Sequence, residues 1–151
     1  MVRVAVGLCT RERGGESSWL ACVGKGCEGC GGSNQACVLH THLPYATALT
    51  LTTERALDTT SSQNAMRFHG RIAVDAHYNG LALDGSEGER IARAMQGADV
   101  AFLGNHGVVV CGALLAHAYD DLYYRERACM VQVLALSTGR PLAPVAADLA
   151  R

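Results

Sequence analysis

The chain has 151 residues, 49% of them hydrophobic and 18% charged, with 13 basic against 14 acidic side chains. That is length enough for one domain with a real core, and a globular rather than a disordered composition. A net charge of −1 gives no electrostatic reason to expect nucleic acid or an anionic membrane as a partner, and no apolar run reaches the roughly 18 residues of a membrane span. Met1 to Cys9 is apolar but lacks a basic start and a small-residue cleavage site, so a cytoplasmic protein without a signal peptide is expected. The seven cysteines are an odd number, with Cys9, Cys22, Cys27, Cys30 and Cys37 crowded into the first quarter, and are read as reduced thiols.

In chain order, two unlike segments appear. Residues 1–35 are rich in Gly and Cys, and Gly14-Gly15, Gly24-Lys25-Gly26 and Gly29 to Gly32 interrupt any period. This segment is expected to be poorly ordered, with an ordered domain over 36–151. Ala36 to His40 reads as a short strand. Pro44 suits the first turn of a helix to about Thr52, where its missing N–H costs nothing. Thr53 to Gln63 is polar and reads as a loop. Gly85 to Gln96 reads as a helix burying Ile91, Ala94 and Met95. Val100 to Leu103 and Val108 to Cys111 read as strands, joined by the turn signature Gly104-Asn105-His106-Gly107. A long helix is expected from about Leu114 to Ser137, with Ala118, Leu122, Cys129, Val133 and Leu136 inward and Asp120, Asp121, Arg125 and Arg127 on a solvated face. Gly139 and Pro141 end it.

His40-Thr41-His42 closes the first of these strands. Residues two apart on a strand share a side, about 7 Å apart along it, so two imidazoles can converge on one ion while Thr41 points away. A bare H-x-H is more often a pair of ordinary surface or core histidines. His106 stands in a glycine-flanked turn, where Gly107 is expected to permit a backbone conformation closed to other residues and Gly104 to leave room. Asn105 reads as a capping or site-shaping residue.

The stretch His40-Thr41-His42-Leu43-Pro44-Tyr45-Ala46-Thr47-Ala48-Leu49 resembles the H-x-H segment of the class II aldolase/adducin family. Asn105-His106-Gly107-Val108-Val109-Val110-Cys111-Gly112 resembles its second hallmark, and Ala118 to Cys129, with Tyr124 and Glu126, the long helix that follows. The resemblance runs from about Cys37 to Val145. It implies a three-layer α/β/α fold with a mainly antiparallel central sheet. It also implies a divalent metal, zinc with iron or manganese as alternatives, held by His40, His42 and His106. The implied activity is that of a lyase on a small hydroxy-carbonyl substrate such as a sugar phosphate, in a homo-oligomer, as a tetramer. A metal there stabilises the charge of an enediolate, and three protein ligands leave coordination positions open for substrate. The family's iron-using oxygenase/decarboxylase branch is a second reading, and a non-catalytic adducin-like module or inactive fragment a third.

The family's upstream acid is not matched. Glu16-Ser17-Ser18 has the right residues in the wrong order, which leaves Glu16 a weak catalytic candidate, and Glu28 stands between Cys27 and Cys30. Residues 1–35 fit either a mis-started or frame-shifted reading of a GC-rich gene, which composition favours, or a divergent extension. The Cys27-x-x-Cys30 pair has no second pair at zinc-site spacing. His69 and His77 read as surface or near-site histidines, His117 as an exposed one, and Tyr123 and Tyr124 as packing residues.

Overall fold

The computed structural model describes residues 4–8, 37–78, 85–95 and 97–150. Five strands form one sheet in the order β1-β2-β5-β4-β3. They are β1 (Val4–Leu8), β2 (Cys37–Thr41), β3 (Ile72–Asp75), β4 (Val100–Leu103) and β5 (Gly107–Gly112). The helices are α1 (Pro44–Thr50), α2 (Gln63–Met66), α3 (Gly85–Met95) and α4 (Leu115–Leu136), with a 3-10 turn at Ala147–Ala150. Among the described residues no helix is long and apolar enough to cross a membrane.

The pairings β1–β2, β2–β5 and β4–β5 are antiparallel, whereas β3–β4 is parallel. The sheet is therefore mixed, where the sequence reading had it mainly antiparallel. The cause is the connection: α3 carries the chain from β3 back across the sheet, and a crossover of that kind returns the next strand in the same direction.

Alternation along the strands builds two cores. Cys37, Leu39, Val100, Phe102, Val108 and Val110 face α1, α2 and α4, where they meet Leu49, Phe68, Ala118, Leu122 and Cys129. Val38, Ala101, Leu103, Val109 and Cys111 face the other way, onto Ile91 and Met95 of α3. Helices thus cover both faces, the layered arrangement expected. The β4 and β5 strands are buried on both sides, which is why they read as unbroken apolar runs.

Two expectations need correction. Val4–Leu8 lies within the segment set apart by composition, yet it pairs residue for residue with Thr41–Cys37. Val-Ala-Val-Gly-Leu is ordinary strand sequence once separated from its glycine-rich neighbours. The rest of that segment, with Glu16, Glu28, Cys27 and Cys30, lies outside the described residues. On α4, Asp121 and Arg125 are buried, not solvated, while Leu136 is exposed. The buried face of α4 runs through Ala118, Asp121, Leu122, Arg125, Ala128, Cys129 and Gln132. Asp121 is drawn in by Arg71, whose guanidinium also reaches Asp99 at 2.8 Å. Arg125 has no such reason: all three guanidinium nitrogens lack a hydrogen-bond partner among the described residues.

Candidate metal centre

His40 is the fourth residue of β2 and shares the α3 face with Val38, opposite Val109 in the ladder. Thr41 turns to the other face and is fully buried, as the alternation requires. His42 follows directly, back on the side of His40. His106 comes from the short turn between β4 and β5, whose first closing pair is Leu103 with Gly107. The end of β2 and the start of β5 are ladder neighbours, so the turn histidine is delivered to the strand-end pair.

The three imidazoles form one cluster. Ring centroids lie 4.8 Å apart for His40 and His42, 4.9 Å for His40 and His106, and 4.8 Å for His42 and His106. One ligand nitrogen from each falls within 4.8 Å of the others, so the group could hold a metal ion. His40 and His42 approach most closely, Nε2 to Nε2, at 2.9 Å. His40 Nδ1 donates to the Val108 carbonyl at 3.1 Å. A carbonyl only accepts, so that bond sets the tautomer and leaves the lone pair of His40 on Nε2, toward the other two rings.

Electrostatics favour the neutral form of His40 and His106. Burial, then the charges of His106 and His42, hold His40 far below the usual imidazole range, at about 3, against a smaller opposing effect of the Val108 carbonyl. His106 is also lowered, by burial first and then by His42 and Arg90. Neutral imidazole is the form that binds a metal. Three nitrogen donors, two of them at least half sheltered and one exposed, suit a divalent ion with an open side.

The turn that presents His106 is anchored on three sides. Gly104 N donates to the Asp75 carbonyl at 2.7 Å, Asn105 N to the Thr50 carbonyl at 3.1 Å, and His106 N to the Leu103 carbonyl at 3.1 Å. The left-handed residue of the turn is Asn105, with φ of 57°, and not Gly107 as the sequence suggested. Asparagine tolerates that region better than most side chains. Gly107 is needed for space instead, since a Cβ there would meet the His42 ring and the Thr41 carbonyl. Gly104 leaves room as expected: a Cβ would strike Arg55 and the backbone of Ala76. Asn105 Oδ1 accepts from Arg55 Nη1 at 2.8 Å.

Other sequence candidates fall elsewhere. His69 shares a hydrogen bond with Thr59 at 3.0 Å, and His77 and His117 are exposed; none joins the cluster. No carboxylate joins it among the described residues either. Sequence reasoning missed Tyr78, whose exposed ring lies 6.1 Å from that of His106. It also missed Arg90, which faces the site from α3 while paired with the buried Asp75. Neither carries a spacing signal, because both reach the cluster only through the β3–α3 crossover.

Residues 32–133 match the profile of the Class II Aldolase and Adducin N-terminal domain. An aldolase class 2 protein of Pseudomonas aeruginosa is 32% identical over 70% of this chain and 40% of its own length. Another from Caulobacter vibrioides is 35% identical over 74% of this chain and 43% of its own. Decarboxylase NovR of Streptomyces niveus is 32% identical over 76% of this chain and 41% of its own. The crystal structure of an aldolase II superfamily protein from Pseudomonas syringae superposes with a TM-score of 0.71 at 33% identity, covering 78% of this chain and 46% of that one. The chain thus spans about two fifths of the length of the curated relatives it matches. With two thirds of its residues inside the family profile, the chain belongs to the class II aldolase and adducin family.

Proposed function

We propose that this chain carries the metal centre of a class II aldolase-type lyase, with His40, His42 and His106 as ligands to one divalent ion, zinc first. The observation that carries the reading is the convergence of three imidazoles, one held in a metal-binding tautomer by the Val108 carbonyl. A divalent ion held by these three residues would supply Lewis-acid chemistry toward a substrate carbonyl or enolate oxygen. The protein's part is to keep His40 and His106 neutral, to orient His40 through the Val108 carbonyl and to leave the site open on the side of exposed His42. The substrate in this reading is a small hydroxy-carbonyl compound such as a sugar phosphate, and the working form a cytoplasmic homo-oligomer. Exposed Leu115, Tyr119 and Tyr123, spaced along one side of α4, support a partner surface.

A second reading is favoured by one specific observation. NovR is named a decarboxylase, and another relative, 32% identical over 76% of this chain, is named 4-hydroxy-3-prenylphenylpyruvate oxygenase/4-hydroxy-3-prenylbenzoate synthase. Under that reading the ion is iron and the substrate an aromatic keto acid. The test begins with metal content and zinc affinity of the parent and of the triple His40→Ala, His42→Ala, His106→Ala variant. If the triple variant holds zinc as well as the parent, the metal reading fails. Retro-aldol release of an aldehyde from sugar phosphates by the zinc form, against oxygen uptake with an aryl pyruvate by the iron(II) form, then separates the two chemistries.

A further inference from the structure

Helix α1 begins two residues after His42, and its first turn lacks the usual cap. Leu43 at the N-cap position has no side-chain acceptor, and Pro44 at the first helical position has no N–H. Thr47 N reaches back to the Leu43 carbonyl at 2.9 Å. That leaves the amides of Tyr45 and Ala46, and both are taken by a single side chain from the far end of the sequence. Glu126 on α4 accepts from Tyr45 N through Oε1 at 2.8 Å and from Ala46 N through Oε2 at 3.0 Å. One carboxylate oxygen per amide is a bidentate, charge-assisted clamp, stronger and more directional than a neutral cap.

The other end of α1 reaches the second half of the metal centre. The Thr50 carbonyl, at the last residue of α1, accepts from Asn105 N, next to His106. A short, rigid helix therefore spans the two ligand-bearing segments, and Glu126 fixes where it sits. His42 is the exposed member of the cluster, so its place depends strongly on the backbone that carries it.

We infer that Glu126 is a positioning residue of the metal centre, setting the separation between His42 and His106 through α1 without touching the ion. The inference rests on the metal reading above. Outer groups that orient metal ligands contribute about 10- to 100-fold to affinity. Gln132 provides the control. Its Oε1 accepts from Asp58 N at 2.8 Å, another long-range bond from a buried face of α4, but to a loop that carries no ligand.

The experiment measures zinc affinity of the full chain by chelator competition, and the visible absorption of the cobalt(II) form, for the parent, Glu126→Ala, Glu126→Gln and Gln132→Ala. The expected result is a loss of about tenfold or more in Glu126→Ala with a changed cobalt spectrum. Glu126→Gln, which keeps an acceptor for one amide, falls between. Gln132→Ala lowers the unfolding midpoint but leaves affinity within twofold. If Glu126→Ala does not fold, Glu126→Gln decides alone against the parent. Parent-like affinity in a folded Glu126 variant, or an equal loss in Gln132→Ala, overturns the positioning role while the metal centre stands. A parent chain that binds neither ion overturns both.

Discussion

Gly107 stands where any side chain would strike His42: a Cβ there falls 2.6 Å from Cδ2 of the ring and 2.6 Å from the Thr41 carbonyl oxygen. Backbone and ligand ring leave no direction in which to yield. Gly107→Ala is expected to displace His42 from the cluster and to weaken zinc binding at least tenfold. Overpacking of this kind costs about 1–3 kcal/mol of stability. Zinc titration together with urea unfolding checks both effects; parent-like affinity would show that the turn can give way.

Arg125 makes the opposite prediction. It is wholly buried, and burial pushes its guanidinium down to about 10, which leaves it charged at neutral pH. Its nitrogens have no hydrogen-bond partner among the described residues. Glu126 and Asp121 favour the charge only through space, each being hydrogen-bonded elsewhere, and replacing buried charge of this kind with an apolar side chain of similar volume is often neutral or stabilising by about 1–4 kcal/mol. Arg125→Leu is therefore expected to raise the urea midpoint without lowering zinc affinity. A destabilised Arg125→Leu would mean that an acceptor outside the described residues pairs with this guanidinium.

Acid should weaken the metal-free fold through the histidine cluster. His40 has its ordinary value of 6.5 when unfolded and about 3 when folded. Between those values the unfolded chain binds the extra proton and the folded chain does not, so stability falls as pH falls. The contribution is complete above about 6.5 and is lost progressively toward 3, and the lowered His106 acts in the same direction. Unfolding midpoints measured from pH 7 to pH 4 should decline, and His40→Gln should flatten part of that slope. A slope unchanged by the substitution would place its origin in other groups, His106 or the carboxylates.

Metal should stabilise the chain by mass action. Zinc at a hundred times its dissociation constant adds about 2.7 kcal/mol if it binds only the folded state. A chelator should return the thermal midpoint to its metal-free value. His106→Ala should show no zinc-dependent rise while keeping most of the fold, because hydrogen bonds from Gly104, Asn105 and the backbone of residue 106 hold the turn, not the ring.

Much of this was legible in the sequence because it rests on local rules. Two-residue spacing puts His40 and His42 on one side, proline starts α1, and three- and four-residue spacing marks α4. What escaped rests on long-range partners. The parallel β3–β4 pair follows from a crossover, not from the pattern within either strand. Glu126 stood out only as part of the long helix that resembles the family's, and only the packing of α4 on α1 turns it into a cap. Asp121 lies inward because Arg71 and Arg67 meet it from the α2 side, which no helical periodicity encodes. The role of Gly107 was misassigned for a related reason: its crowding comes from β2, across the sheet.

The antiparallel register of β2 on β5 has a consequence for how the site comes into being. His40 lies opposite Val109 and Thr41 opposite Val108. A slip of one residue would exchange faces, sending His40, and His42 just beyond the strand, away from His106 and presenting Leu39 and Thr41 in their place. The donor set therefore has no half-assembled form in a misaligned sheet. Zinc affinity in this chain becomes a reporter of strand alignment, and during refolding tight binding should appear only in the phase that closes β2 onto β5.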